Sequence, residues 1–98
     1  MSATADLLAF AGARHGLPAA VRADALRLLG DTLAVGAAGV GAPGEAAILA
    51  AARAMGSGDA AGLLGTGERL PAPAAAFVNG YRIHCLEWDA VHEPAVVH

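Results

Sequence analysis

The sequence has no lysine, a single cysteine and few aromatic side chains, which make up 4% of its residues. The chain has six arginines and nine acidic residues, which gives a net charge of −3. Such a chain offers no basic surface that could bind a phosphate backbone, so we expect no nucleic-acid partner. A lone cysteine cannot form an intrachain disulfide, which favours a reducing, cytoplasmic location. The N-terminus lacks the basic region of a signal peptide, and no apolar run is long enough to cross a bilayer, so we expect no membrane association.

The length and composition limit how large a core the chain can build. Ninety-eight residues allow at most one small domain. Hydrophobic residues account for 56% of the chain, but many of them are alanines, and a buried alanine removes little apolar surface from water. We therefore expect a thin core in residues 1–98, which would form an incomplete domain when isolated.

Helical periodicity of the apolar residues dominates the rest of the pattern and predicts an all-α fold with four main helices. The predicted helices are one capped by Thr4 that stops at Gly16, one over 19–38, one starting near Glu45, and one over 74–88. The glycine-punctuated connection 57–70 separates the last two helices and could hold a short hairpin.

The chemically versatile residues gather in the last fifteen positions, "HCLEWDAVHEPAVVH", which contain three of the four histidines. Three interpretations fit: a metal site, acid–base chemistry on a small molecule, or a structural helix end. His84, Glu87, His92 and His98 would supply enough metal ligands, but their spacing matches no established metal motif. We therefore expect no bound metal, and we expect Cys85 to be packed rather than nucleophilic.

The stretch "LPAPAAAFVNGYRIHCLEWDAVHEPAVVH" resembles the N-terminal signature of the MmgE/PrpD family. Members read L-P-x-x-x-A-A-x-x-N-G, then H-x-L-D-F-D-D-T-H, and six residues later H-P-S. The matching positions here are Leu70, Pro71, Ala75, Ala76, Asn79, Gly80, His84, Leu86, Asp89, His92 and His98. The family includes 2-methylcitrate dehydratase, cis-aconitate decarboxylase and iminodisuccinate epimerase.

The resemblance implies that the chain is the N-terminal fragment of a longer, homodimeric enzyme, interrupted inside the His-Pro-Ser motif. The parent would be a lyase or isomerase that removes a proton next to a carboxylate of a small di- or tricarboxylic acid, without metal or organic cofactor. The family's catalytic lysine would lie downstream, so we expect the fragment to be inactive on its own. The alternative is a non-catalytic helical module that docks on a partner chain.

The resemblance also implies roles for individual residues. Glu87 and His98 match positions that line the substrate pocket and are the predicted catalytic residues. Val91 matches a substrate-binding threonine but has no hydroxyl, so a hydrogen bond to substrate would be lost. Three further residues are predicted to order the end of the helix around these positions: His84, Asp89 and His92. Further departures from the family pattern are Trp88 and Ala90, which indicate a divergent member.

Overall fold

The computed structural model describes residues 2–98, and these contain four helices and a small two-stranded antiparallel sheet. The elements are α1 (Ala3–Gly12), α2 (Ala19–Ala38), α3 (Glu45–Ala54), β1 (Ala61–Gly62), β2 (Arg69–Leu70) and α4 (Ala72–His84). The expected all-α class is therefore corrected to a mostly helical chain. The sheet forms where glycines weaken helical propensity, and its register pairs Ala61 with Leu70 and Gly62 with Arg69.

The helix boundaries agree with the predictions for α2 and differ at the first and last helices. Ser2, not Thr4, caps α1, because its side-chain oxygen accepts the backbone N–H of Ala5 at 3.2 Å. Helix α1 also ends earlier than predicted, at Gly12. Helix α4 starts before its predicted position because Pro73 lies in its first turn, where a missing N–H is tolerated.

Helix α4 is the central element, because it contacts α2, α3 and both strands. The buried apolar cluster lies mainly along α4 and is lined largely by small side chains; its members are Ala52, Leu63, Leu70, Ala74, Ala75 and Val78. A core this poor in large side chains removes limited apolar area from water, as the composition predicted.

Helices α2 and α4 approach so closely that glycine is required at their contact. A Cβ added to Gly39 would lie 2.2 Å from the carbonyl oxygen of Arg82 and 2.8 Å from its Cα. The obstructing atoms belong to the backbone, so no side-chain rotation could relieve the overlap. Gly39 therefore fixes the distance between α2 and the C-terminal part of α4.

A buried ion pair joins α4 to the start of α3. The Arg82 residue is 1% exposed and Glu45 is 6% exposed, and Arg82 Nε donates to Glu45 Oε1 at 2.9 Å. A second guanidinium nitrogen of Arg82 donates to the carbonyl of Leu64 at 2.6 Å and to the hydroxyl of Thr66 at 3.3 Å. One side chain thus ties together α4, α3 and the connection between the strands.

The N-terminal third of the chain has little tertiary packing. Helix α1 buries none of its residues, and α2 buries only Val35 and Gly36 near its C-terminus. The large apolar side chains left more than half exposed on these helices include Leu7, Leu8, Phe10, Leu26 and Leu29. Among residues 2–98, no helix is both long enough and apolar enough to span a membrane.

Candidate functional site

The site begins where α4 ends. The helix stops at His84, and the backbone N–H of Glu87 then donates to the His84 carbonyl at 2.8 Å, which closes a turn. Glu87 has a φ of 54°, a left-handed conformation that cannot continue a right-handed helix. This reversal directs the following residues back towards His84, so the predicted helix over 74–88 is four residues too long at its C-terminal end.

A second reversal returns the C-terminal residue to the same place. The backbone N–H of His92 donates to the Val97 carbonyl at 2.7 Å, and Val97 donates back to the His92 carbonyl at 3.4 Å. Val96, inside this turn, has a φ of 50°, which is strained for a β-branched residue. The pairing brings His98 beside Asp89.

Three side chains meet at this point and form the His–Asp–His cluster, made of His84, Asp89 and His98. Nδ1 of His84 lies 3.2 Å from both carboxylate oxygens of Asp89. Nδ1 of His98 lies 3.1 Å from Oδ2 of the same carboxylate. The two imidazole rings pack edge to face, with their centroids 4.7 Å apart.

The cluster keeps the Asp89 carboxylate ionised. Burial of this side chain raises its pKa. The opposing effects are together larger, so the net shift of the pKa is downward; they are the hydrogen bond from His84, the hydrogen bond from the Asp89 backbone N–H and the charges of the two nearby histidines. Only 8% of the Asp89 side chain is exposed, which makes these protein hydrogen bonds important to it.

An ionised carboxylate determines which nitrogen of each imidazole carries the proton. Because the Asp89 carboxylate can only accept hydrogen bonds, His84 and His98 must each donate their Nδ1–H to it. In the neutral imidazole, the other nitrogen, Nε2, then keeps a free lone pair. The arrangement can therefore present two oriented bases, each held by the same carboxylate.

The other residues predicted for the site lie outside this cluster. Glu87 is exposed, and within residues 2–98 its side chain forms no hydrogen bond or ion pair. Val91 is 46% exposed, and His92 takes part in the turn through its backbone rather than through its ring. Glu87 and Val91 share no helical face with His84, because the helix ends at His84.

Two polar residues of α4 have structural roles that the sequence analysis missed. The Asn79 side chain accepts the backbone N–H of Leu64 at 2.8 Å and donates to the Gly62 carbonyl at 3.0 Å. It therefore satisfies the backbone of the connection as a neighbouring strand would. The other is Arg82. The sequence could have indicated its structural role, because Arg82 is the one formally charged residue within an otherwise uncharged helix.

The comparison with protein families gives a match over most of the chain. The family model for the MmgE/PrpD N-terminal domain aligns with residues 9–98 of this chain. No match was found among curated proteins or among solved structures. The aligned range covers α2, α3, α4 and the whole His–Asp–His cluster.

Proposed function

Because this chain belongs to the MmgE/PrpD family, we propose that it is the N-terminal part of a lyase or isomerase that acts on a small di- or tricarboxylic acid. The reaction begins with removal of a proton from the carbon next to a carboxylate. The electron pair of the broken C–H bond moves into that carboxylate and then returns, either to expel a neighbouring hydroxyl group, which leaves as water once an acid protonates it, or to take up a proton on the other face. In a decarboxylation, the C–C bond to the departing carbon dioxide supplies the electron pair in place of the C–H bond, and a proton captures that pair on carbon. A cytoplasmic location belongs to the same proposal.

The observation that carries the proposal is the pairing of Asp89 with two imidazoles. A carboxylate that accepts Nδ1–H leaves Nε2 as the basic atom and stabilises the imidazolium that forms when a proton is taken up. His98 is 40% exposed at its side chain, so its ring can reach a substrate while Asp89 holds it in orientation. We assign proton transfer at the substrate to His98, with Asp89 as a positioning residue.

Glu87 is the second proposed catalytic residue. Its carboxylate is exposed next to the end of α4, and it can exchange a proton with a substrate without first breaking a hydrogen bond or ion pair to residues 2–98. The strained backbone at Glu87 is consistent with such a role, because conformations of this kind concentrate at functional sites. His84 stabilises the segment by binding Asp89, and His92 stabilises it through its backbone pairing with Val97.

Val91 is proposed to line the substrate pocket as an apolar surface. A pocket that replaces a hydroxyl by a methyl group cannot satisfy a substrate oxygen at that position, and such a loss affects discrimination as much as affinity. Trp88, 64% exposed beside the cluster, adds a further apolar surface. We therefore expect a substrate with a less polar group at this place than the family pattern would accept.

The proposal is tested by deuterium exchange in the full-length protein. Candidate di- and tricarboxylic acids are incubated with it in heavy water, and exchange of the C–H next to each carboxylate is followed by NMR. Exchange should depend on His98, and His98→Gln should slow it by about a hundredfold or more. His15→Gln is the matched control, because His15 lies near α1 and contacts Phe10. Absence of exchange with every acid of this class would refute the proposal.

A second function, docking on a partner chain, is favoured by the exposed apolar side chains of α1 and α2. Leu26 and Leu29 are 63% and 53% exposed, although removing a leucine side chain from water is strongly favourable. In the proposed parent, this surface is covered by the remaining helices of the domain or by the second subunit of a homodimer. Light scattering of the 98-residue chain tests the exposure: self-association that Leu26→Glu and Leu29→Glu abolish supports it, and a monomer at all concentrations contradicts it.

A further inference from the structure

We propose that the His–Asp–His cluster is also a binding site for a divalent transition-metal ion of the zinc class. The sequence argued against a metal because the spacing of its ligands matches no linear motif. The fold removes that objection, because two chain reversals bring His84, Asp89 and His98 together. One ligand atom from each residue lies within 4.8 Å of the other two.

The two His–Asp distances within the cluster fit a metal coordination sphere. Bonds of about 2.0–2.2 Å from zinc to nitrogen or oxygen place neighbouring ligand atoms about 3.0–3.5 Å apart in octahedral to tetrahedral geometry. The separations of Nδ1 of His84 and Nδ1 of His98 from Oδ2 of Asp89 are 3.2 and 3.1 Å. An ion could therefore replace the two shared protons, provided that the side chains move to bring all three ligand atoms, which lie within 4.8 Å of one another, to coordination distance.

The donor atoms select the class of ion. Two imidazole nitrogens and one carboxylate oxygen suit zinc, cobalt, nickel or ferrous iron, whereas magnesium and calcium prefer oxygen ligands alone. Three protein ligands are the usual number at zinc sites that leave a coordination position open. The exposed faces of His84 and His98 provide that open side, since their side chains are 54% and 40% exposed.

Metal binding and proton transfer would exclude each other at His98. This consequence rests on the proposed function, whereas the proposal that the cluster binds a metal does not depend on that function. When the ion takes the lone pair of Nδ1, the single proton of a neutral imidazole must reside on Nε2. The ring then has no free nitrogen to accept a proton from substrate. Zinc is therefore expected to inhibit the proposed enzyme by occupying its base.

The test is calorimetric titration of the 98-residue chain with zinc chloride alone, with the absorption spectrum of the cobalt form as a second measurement. We expect one ion per chain. Asp89→Asn and His84→Gln should each weaken binding by about a hundredfold or more, at or above the loss typical of an outer-shell partner. The matched controls Glu93→Gln and His15→Gln change a carboxylate in the terminal segment and an imidazole outside the cluster, and they should bind zinc as tightly as the unmodified chain.

An NMR measurement makes the result independent of how well the variants fold. Zinc should shift the imidazole signals of His84 and His98 and leave those of His15 and His92 in place. Failure to bind zinc stoichiometrically would overturn the proposal. So would binding that survives His84→Gln, or binding that shifts the signals of His15 or His92 instead. These results involve no substrate, so they can be distinguished from failure of the proposed enzymatic function.

Discussion

The contact at Gly39 allows a stability prediction whose sign follows directly from the geometry. In Gly39→Ala, the new methyl group would meet the Arg82 carbonyl oxygen at 2.2 Å, more than 1 Å inside an ordinary contact of about 3.4 Å. Helices α2 and α4 would have to separate, and overpacking of this kind costs about 1–3 kcal/mol. Because Arg82 is the residue approached, the separation should also disturb its bond to Glu45.

Gly30→Ala is the matched control, because Gly30 lies inside α2, whose C-cap is Gly39, and an added Cβ at Gly30 meets nothing within 4 Å. Alanine in an exposed helix interior is more favourable than glycine by about 0.5–1 kcal/mol, so this variant should be stabilised. Urea unfolding followed by circular dichroism at 222 nm would measure both changes. The reasoning is refuted if Gly39→Ala is as stable as the unmodified chain, or if both alanine variants change stability in the same direction.

Four further predictions follow from the ion pairs and the site. Arg82→Met should destabilise the chain by about 3–5 kcal/mol in urea unfolding because it leaves a buried carboxylate unpaired, whereas Arg53→Met, at an exposed pair, should barely move the midpoint. The lowered pKa of Asp89 means that its ionised form stabilises the fold above the ordinary carboxyl pKa; the stability difference from Asp89→Asn should shrink as the pH falls through the lowered pKa, and a difference that grows on acidification would contradict this. In the full-length protein, Glu87→Gln should lower kcat by about a hundredfold or more and Glu87→Asp by less, and an unchanged kcat would remove Glu87 from the catalytic residues. The 98-residue chain alone should turn over no citrate-like, aconitate-like or aspartate-derived acid, and turnover that His98→Ala abolishes would contradict this.

Local sequence patterns predicted the elements whose structure depends on local forces. Helix α2 has the predicted bounds because Leu26, Leu29 and Leu33 recur at helical spacing, further apolar residues widen their face, and Pro18 precedes the first residue of the helix. The end of α4 was misplaced because "CLEWDA" has no glycine or proline to interrupt the helical pattern. The turn there depends on a positive φ at Glu87, which a propensity argument assigns to glycine or asparagine first.

Local sequence patterns could not predict the contacts that position the site, because these contacts join residues that are separated along the chain. Glu45 and Arg82 are 37 residues apart, and each has an ordinary surface interpretation until the other is placed beside it. Asp89 and His98 are nine residues apart and meet only after the turn at His92 is formed. The family resemblance predicted site roles for Asp89 and His98, but it did not predict that their side chains are in contact.

The site combines a rigid anchor with a more weakly held loop, and this difference decides which residue controls His98. His84 lies two residues after Arg82, whose guanidinium is bound to Glu45, Leu64 and Thr66, so the end of α4 is fixed to the core. Residues 91–98 are exposed throughout and return to that end through the His92–Val97 pairing and the carboxylate of Asp89. Since Asp89 contacts both histidines, it links the fixed position of His84 to the exposed segment that carries His98. Any chemistry that needs His98 at a defined place, whether proton transfer or metal binding, therefore needs Asp89 first.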